Sequence, residues 1–315
     1  MLAKESLPPW QTSRFAHLAE RLGQGRFPTG LLLTGPAGVG KQALAAALVR
    51  AAYCVQREAQ AQACGTCTGC QQFEAGSHPD FVLCVPEEGK QSITVDVVRE
   101  FARKLYLTPQ TPAGRMGYIP RADLLNVNAA NALLKTLEEP PATAHLLLVS
   151  DRPATLPATI RSRCEQVRAV VDQPEVVNAW FDSQLPSLTA GQRQRYRHAP
   201  LQAVEADARG RQETAIRQQL EAIWLQQRDP ILAAGDLDDE LLPSVGTSLF
   251  RLIGERLGEV ISRPQPIAVR LGLQRLADAN ASALHLAQHS QANMRLLVET
   301  QLIEWARVGR LMNRS

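Results

Sequence analysis

Four of the six cysteines, Cys54, Cys64, Cys67 and Cys70, crowd into one short stretch with the spacing Cys-x9-Cys-x2-Cys-x2-Cys. Four thiolates are enough to close a tetrahedral shell around zinc, and Gly65 and Gly69 permit a turn that brings the last three sulfurs together. Three other readings compete. Disulfides need an oxidising compartment. Free cysteines have no need of the two-residue gaps. An iron–sulfur cluster also uses Cys-x2-Cys-x2-Cys, but no further Cys-Pro follows here. The spacing favours zinc, and a shell closed by four sulfurs leaves no open coordination position, so the metal is expected to be structural.

A second chemical signal is Gly35-Pro36-Ala37-Gly38-Val39-Gly40-Lys41, which follows the apolar run Gly30 to Thr34 and opens a helical pattern. Backbone N–H groups and a helix N-terminus at such a loop hold phosphate oxygens, with Lys41 reaching the β and γ phosphates. Gln42 stands where a Ser or Thr hydroxyl ligates Mg²⁺. The competing reading is a tight strand-to-helix turn with no nucleotide, and both remain open. The acid that should hold Mg²⁺ at the end of a later strand is missing, because Ile119 runs into Pro120-Arg121-Ala122-Asp123. Asp123 is expected to cap a helix or lie in solvent. Autonomous ATP hydrolysis is not expected.

These residues need elements to position them. Apolar runs of strand length at residues 30–34, 80–85, 116–119 and 145–150 alternate with helical patterns at 41–53, 95–104 and 129–139, as an α/β doubly wound parallel sheet requires. The last helix carries Ala130, Leu133, Leu134 and Leu137 on one face and stops at Pro140-Pro141. Strand signals end near residue 170. The expected organisation is an α/β domain over 1–168 with the cysteine module at 54–70, a small helical domain over 169–208, and an all-helical domain over 209–315. In the last, Met294, Val298, Leu302, Trp305, Val308 and Met312 form an apolar stripe, expected to pack in its own core, with an oligomer interface as the second reading. No internal repeat is present.

With 45% hydrophobic and 21% charged residues, the chain can bury more than one core, and it is neither disordered, collagen-like nor a disulfide scaffold. No apolar run approaches the roughly 20 residues of a membrane helix. Residues Met1 to Ser6 lack the apolar core of a signal peptide. A cytoplasmic location is expected. Lys+Arg 34 against Asp+Glu 31 gives +3, too little basic excess for binding nucleic acid by phosphate neutralisation alone. A nucleic-acid-binding zinc module is disfavoured because no basic, aromatic-interleaved stripe surrounds Cys54 to Phe73.

The segments Ala129-Ala130-Asn131-Ala132-Leu133-Leu134-Lys135-Thr136-Leu137-Glu138-Glu139-Pro140-Pro141 and Leu156-Pro157-Ala158-Thr159-Ile160-Arg161-Ser162-Arg163-Cys164 make the reading specific. Their order resembles the clamp-loader branch of the AAA+ ATPases. The cysteine quartet behind the P-loop helix is similar to that of bacterial clamp-loader subunits. The altered P-loop, the absent acidic pair, His78-Pro79-Asp80-Phe81 and Asn293-Met294-Arg295-Leu296 resemble a non-motor subunit of that machine. The likeness is dense over 28–168, thin to about 210 and faint near the C-terminus.

The resemblance implies an AAA+-like sheet domain, a helical lid and a helical oligomerisation collar. It implies that Ser162 and Arg163 present an arginine finger to ATP on a neighbouring subunit. A guanidinium is permanently charged and fork-shaped, which suits the charge developing on a transferring phosphoryl group. Ser150 would replace the more usual Thr at a sensor position, and His198-Ala199-Pro200 departs from a Gly-x-Pro element, which discourages nucleotide sensing. The implied partners are the tau/gamma motor subunits and the delta subunit in a hetero-pentamer, with the sliding clamp and primed DNA reached through the complex. The rival function is an autonomous P-loop ATPase, supported by Lys41 and the loop glycines Gly35, Gly38 and Gly40.

Overall fold

The computed structural model describes residues 6–56, 62–262, 267–289 and 293–313. The amino-terminal residues 1–5, whose lack of a signal-peptide core was noted above, lie outside the described residues. The chain divides into two units, Met1–Glu205 and Ala206–Ser315.

The first unit is built on β1 (Gly30–Thr34), β2 (Phe81–Leu83), β3 (Arg115–Ile119), β4 (Ala144–Ser150) and β5 (Glu165–Arg168). All pairs are parallel and the order is β2-β3-β4-β1-β5. β1 is buried along its whole length, as its continuous run Gly-Leu-Leu-Leu-Thr demands between two helical layers. Four strands coincide with the apolar runs of the sequence. β5 does not, because it lies on the edge and its residues Glu165, Gln166 and Arg168 are exposed, so its polar composition carries no strand signal.

The helices that bear on the site are α1 (Thr12–Gly23), α2 (Lys41–Tyr53), α3 (Thr68–Glu74), α4 (Val95–Leu105), α5 (Val127–Glu138) and α6 (Ala158–Arg163). α5 starts where the Asn126 side chain accepts the Ala129 N–H, and ends just before Pro140-Pro141. One core layer joins Phe15, Leu18, Leu44, Leu48 and Tyr53 to the sheet, and the other joins Val98, Phe101, Leu133 and Ile160. Two further helices, α7 (Pro174–Gln184) and α8 (Ala190–Tyr196), belong to this unit. Phe181 and Val177 of α7 pack on Trp10.

α9 (Pro200–Trp224) begins in the first unit, and from Ala206 onward it belongs to the second. There it joins α10 (Pro230–Gly235), α11 (Leu242–Ser262), α12 (Ile267–His289) and α13 (Met294–Asn313). The core is centred on Trp224 and Trp305, whose rings lie 4.2 Å apart, and the Trp305 indole N–H donates to the Leu220 carbonyl at 2.7 Å. Val298, Leu302, Trp305 and Val308 are buried here, with Met294 and Met312 packed against them. The stripe on the last helix therefore faces the core of its own unit. Among the described residues no helix is long and apolar enough to cross a membrane.

Candidate functional site

Parallel pairing of β1 with β4 puts Thr34 in register with Ser150, so the loop after β1 and the residues after β4 emerge side by side. Gly35 has φ +142°, and a Cβ there would lie 2.2 Å from the Ala169 carbonyl oxygen, so only glycine fits. Gly38 and Gly40 follow at φ +82° and +88°, and Gly40 precedes α2. The loop has the backbone of a phosphate cradle.

Its carbonyls and its lysine are engaged by the protein itself. The Lys41 ammonium donates to the Gly35 and Pro36 carbonyls at 2.8 and 2.6 Å and pairs with the Asp151 carboxylate at 2.6 Å. Those contacts match its three N–H donors, and its side chain is 3% exposed. Trp10 and Gln11 both donate to the Val39 carbonyl, at 3.0 and 2.8 Å. From the other side the Gln202 amide donates to the Ala37 carbonyl at 3.0 Å, and the Leu201 N–H to the Gly38 carbonyl at 3.0 Å. His198-Ala199-Pro200 thus leads a helix directly onto the loop.

Asp123 departs from the expectation of a capping or solvated acid. It lies in a single 3-10 turn, Ala122–Leu124, and caps nothing. Its side chain is fully buried between Arg121 at 3.2 Å and Arg152 at 3.5 Å, and it accepts the Asp151 N–H at 3.4 Å. Burial raises its pKa, but Arg121 together with the N–H groups of Asp151 and Asp123 outweighs this and holds the carboxyl below its ordinary range. The reason is that the residue replacing the acidic pair, Arg121, is the partner of Asp123, which composition alone does not reveal. Asp151 was missed too. Strand register was the signal that could have found it, because the residue after Ser150 must face the residues after Thr34. Ser150 itself is buried, and its hydroxyl accepts the Arg152 N–H at 3.2 Å.

Arg163 is the last residue of α6, at the surface. Its guanidinium pairs with Glu138 at 2.6 Å and donates to the Thr159 carbonyl at 3.1 Å. The Ser162 hydroxyl is also exposed and donates to the same Thr159 carbonyl at 3.1 Å.

The cysteines converge. Cys54 ends α2, Cys67 precedes α3 and Cys70 lies within it, so two helix ends deliver the sulfurs; residues 57–61 between them lie outside the described residues. All four Sγ atoms lie within 4.8 Å of one another, and those of Cys54 and Cys67 are 4.0 Å apart. A disulfide requires about 2 Å, whereas zinc with bonds of about 2.3 Å sets tetrahedral sulfurs about 3.8 Å apart. The donor set therefore fits a thiophilic metal. The Cys64 N–H donates to Cys54 Sγ and the Cys67 N–H to Cys64 Sγ, as thiolate acceptors require. Thr66, through its N–H and its hydroxyl, lowers the Cys64 pKa to about 6. Burial pushes the Cys70 thiol up to about 12, and a bound dication would reverse that cost.

Comparison with known proteins gives the chain's family. The delta' subunit of DNA polymerase III from Pseudomonas aeruginosa is 40% identical over 178 residues, 56% of this chain and 53% of that one. The Escherichia coli delta' subunit is 42% identical over 156 residues, 50% of this chain and 46% of that one. The Escherichia coli tau subunit is 34% identical over 149 residues, 47% of this chain and 23% of that one. The matched stretch spans about half the length of the delta' relatives. A family model described as DNA polymerase III, delta subunit, matches residues 10–171, the stretch that carries the glycine loop, the cysteine cluster and Arg163, and the chain belongs to that family.

Proposed function

We propose that this chain serves as the delta' type, non-motor subunit of a DNA polymerase III clamp loader. On this reading it helps load the sliding clamp on primed DNA, beside tau/gamma motor subunits and a delta subunit in a hetero-pentamer. The observation that carries the reading is the state of Lys41. Its ammonium is bound by Asp151 and two loop carbonyls, while Arg163, on α6, stands at the surface. A subunit whose own loop lysine is engaged by an acid and two carbonyls and whose guanidinium is accessible suits service to a neighbour's ATP. Arg163 would meet the charge developing on that γ-phosphate, and Ser162 lies beside it. The identity to delta' relatives across the matched stretch supports the assignment. Residues 169–208 would act as the lid and 209–315 as the oligomerising collar.

Cys54, Cys64, Cys67 and Cys70 would hold one zinc ion as a cross-link between the end of α2 and the start of α3. The metal supplies charge neutralisation for four thiolates and no open position for chemistry.

The test is a loader reconstituted with its motor and delta subunits. Arg163→Ala should co-purify in full stoichiometry yet lower DNA- and clamp-stimulated ATP hydrolysis, whereas Arg161→Ala should matter less. An isolated site deprived of its finger can lose about three orders of magnitude, but the other ATP sites persist, so the observed loss is partial. Unchanged hydrolysis and clamp loading by an intact Arg163→Ala complex would eliminate the finger role.

A further inference from the structure

We propose that Glu138 is a positioning residue for Arg163, holding its guanidinium in the pose that meets a neighbour's phosphate; this rests on the finger reading above. Glu138 is the last residue of α5 and Arg163 the last of α6, and their side chains meet at 2.6 Å. The meeting is built into the fold. A Cβ added to Gly30 would lie 3.2 Å from both the Arg163 carbonyl oxygen and a Leu137 methyl, so the ends of the two helices converge over the start of β1. α5 is stopped at that point by Pro140-Pro141, and α6 is fixed there by Ile160, which is fully buried.

The geometry distributes the guanidinium's donors. Nη2 faces Glu138 and Nη1 donates to Thr159. These contacts engage two of the five N–H donors, and the others remain for a phosphate oxygen. An unrestrained arginine loses much rotamer freedom when it docks, so fixing it beforehand lowers that cost at the moment of reaction. Side-chain exposure of 36% for Arg163 and 48% for Glu138 leaves the pair in water. A pair of this kind holds the guanidinium without locking it, so the remaining donors can turn to a phosphate while the Glu138 contact stays in place.

In the reconstituted loader, Glu138→Ala should remove at least half of the ATP hydrolysis that Arg163→Ala removes. That corresponds to a fall of about two- to fivefold at the facing site, the range an exposed ion pair supplies. The loss should appear in kcat with KM for ATP unchanged, because a finger acts on charge that develops in the transition state. Glu138→Gln, which keeps an acceptor oxygen, should fall between wild type and alanine. The double variant should match Arg163→Ala alone. Zinc content and co-elution of the complex establish that the variants are folded and assembled. Full or raised activity in Glu138→Ala, with Arg163→Ala impaired, overturns the positioning role and leaves the finger standing. Full activity in Arg163→Ala overturns the finger itself.

Discussion

Asp80 shows how a short motif acquires a physical role. Its side chain is fully buried and accepts the Gln110 N–H at 2.9 Å, the Thr111 N–H at 2.7 Å and the Thr111 hydroxyl at 2.7 Å, with Arg115 at 3.7 Å. His78 stacks on Tyr53 at 3.6 Å and accepts the Asp80 N–H through Nδ1. Burial raises the Asp80 pKa, but the donors of Gln110 and Thr111 and the Arg115 charge bring it below the ordinary carboxylate value. Its contribution to stability is therefore complete above the unfolded pKa, about 3.9, and is lost as pH falls through the lower folded value. Asp80→Asn should cost about 3 kcal/mol at neutral pH, the scale of breaking a buried ionic cluster. Denaturant titrations of variant and wild type should converge as pH drops below about 4; a gap that stays constant would refute the ionic role. The sequence marked His78-Pro79-Asp80-Phe81 only by resemblance, because its partners stand at Tyr53, Gln110, Thr111 and Arg115 and no local spacing points to them.

At the scale of elements, the cysteine cluster was legible because all its ligands lie in one segment and the two-residue gaps force the sulfurs together. α2 and α3 meet there, and the expectation is one zinc per chain by elemental analysis. Less than half an equivalent in carefully prepared protein, or an iron charge-transfer band, would overturn it. A strong chelator should lower the unfolding temperature, and Cys67→Ser should reproduce most of that effect, since loss of one thiolate opens the shell. The same elements show where reading by pattern stops. β5 is polar and escaped notice, since its strand identity comes from Leu31–Thr34 of β1 pairing along it and not from its own residues.

For the whole molecule, local spacing could not give the contacts of the glycine loop, because they arrive from three distant places: Trp10 and Gln11, Asp151, and Leu201 with Gln202. The purified chain is expected to show no ATP hydrolysis above background with Mg²⁺, and Gln42→Ser alone should not create it. Steady-state turnover that vanishes in Lys41→Ala would show that the loop takes nucleotide productively. The sheet order also has a consequence for how the chain is made. Residue 30 of β1 pairs with residue 146 and residue 31 with residue 165, so the strand translated first is the one completed last. While the ribosome works through more than a hundred codons, Leu31, Leu32 and Leu33 have neither lateral neighbour. A nascent chain stalled before β4 would expose a strand that the finished sheet buries along its whole length, with both its edges open, a state prone to clump with other unfinished chains.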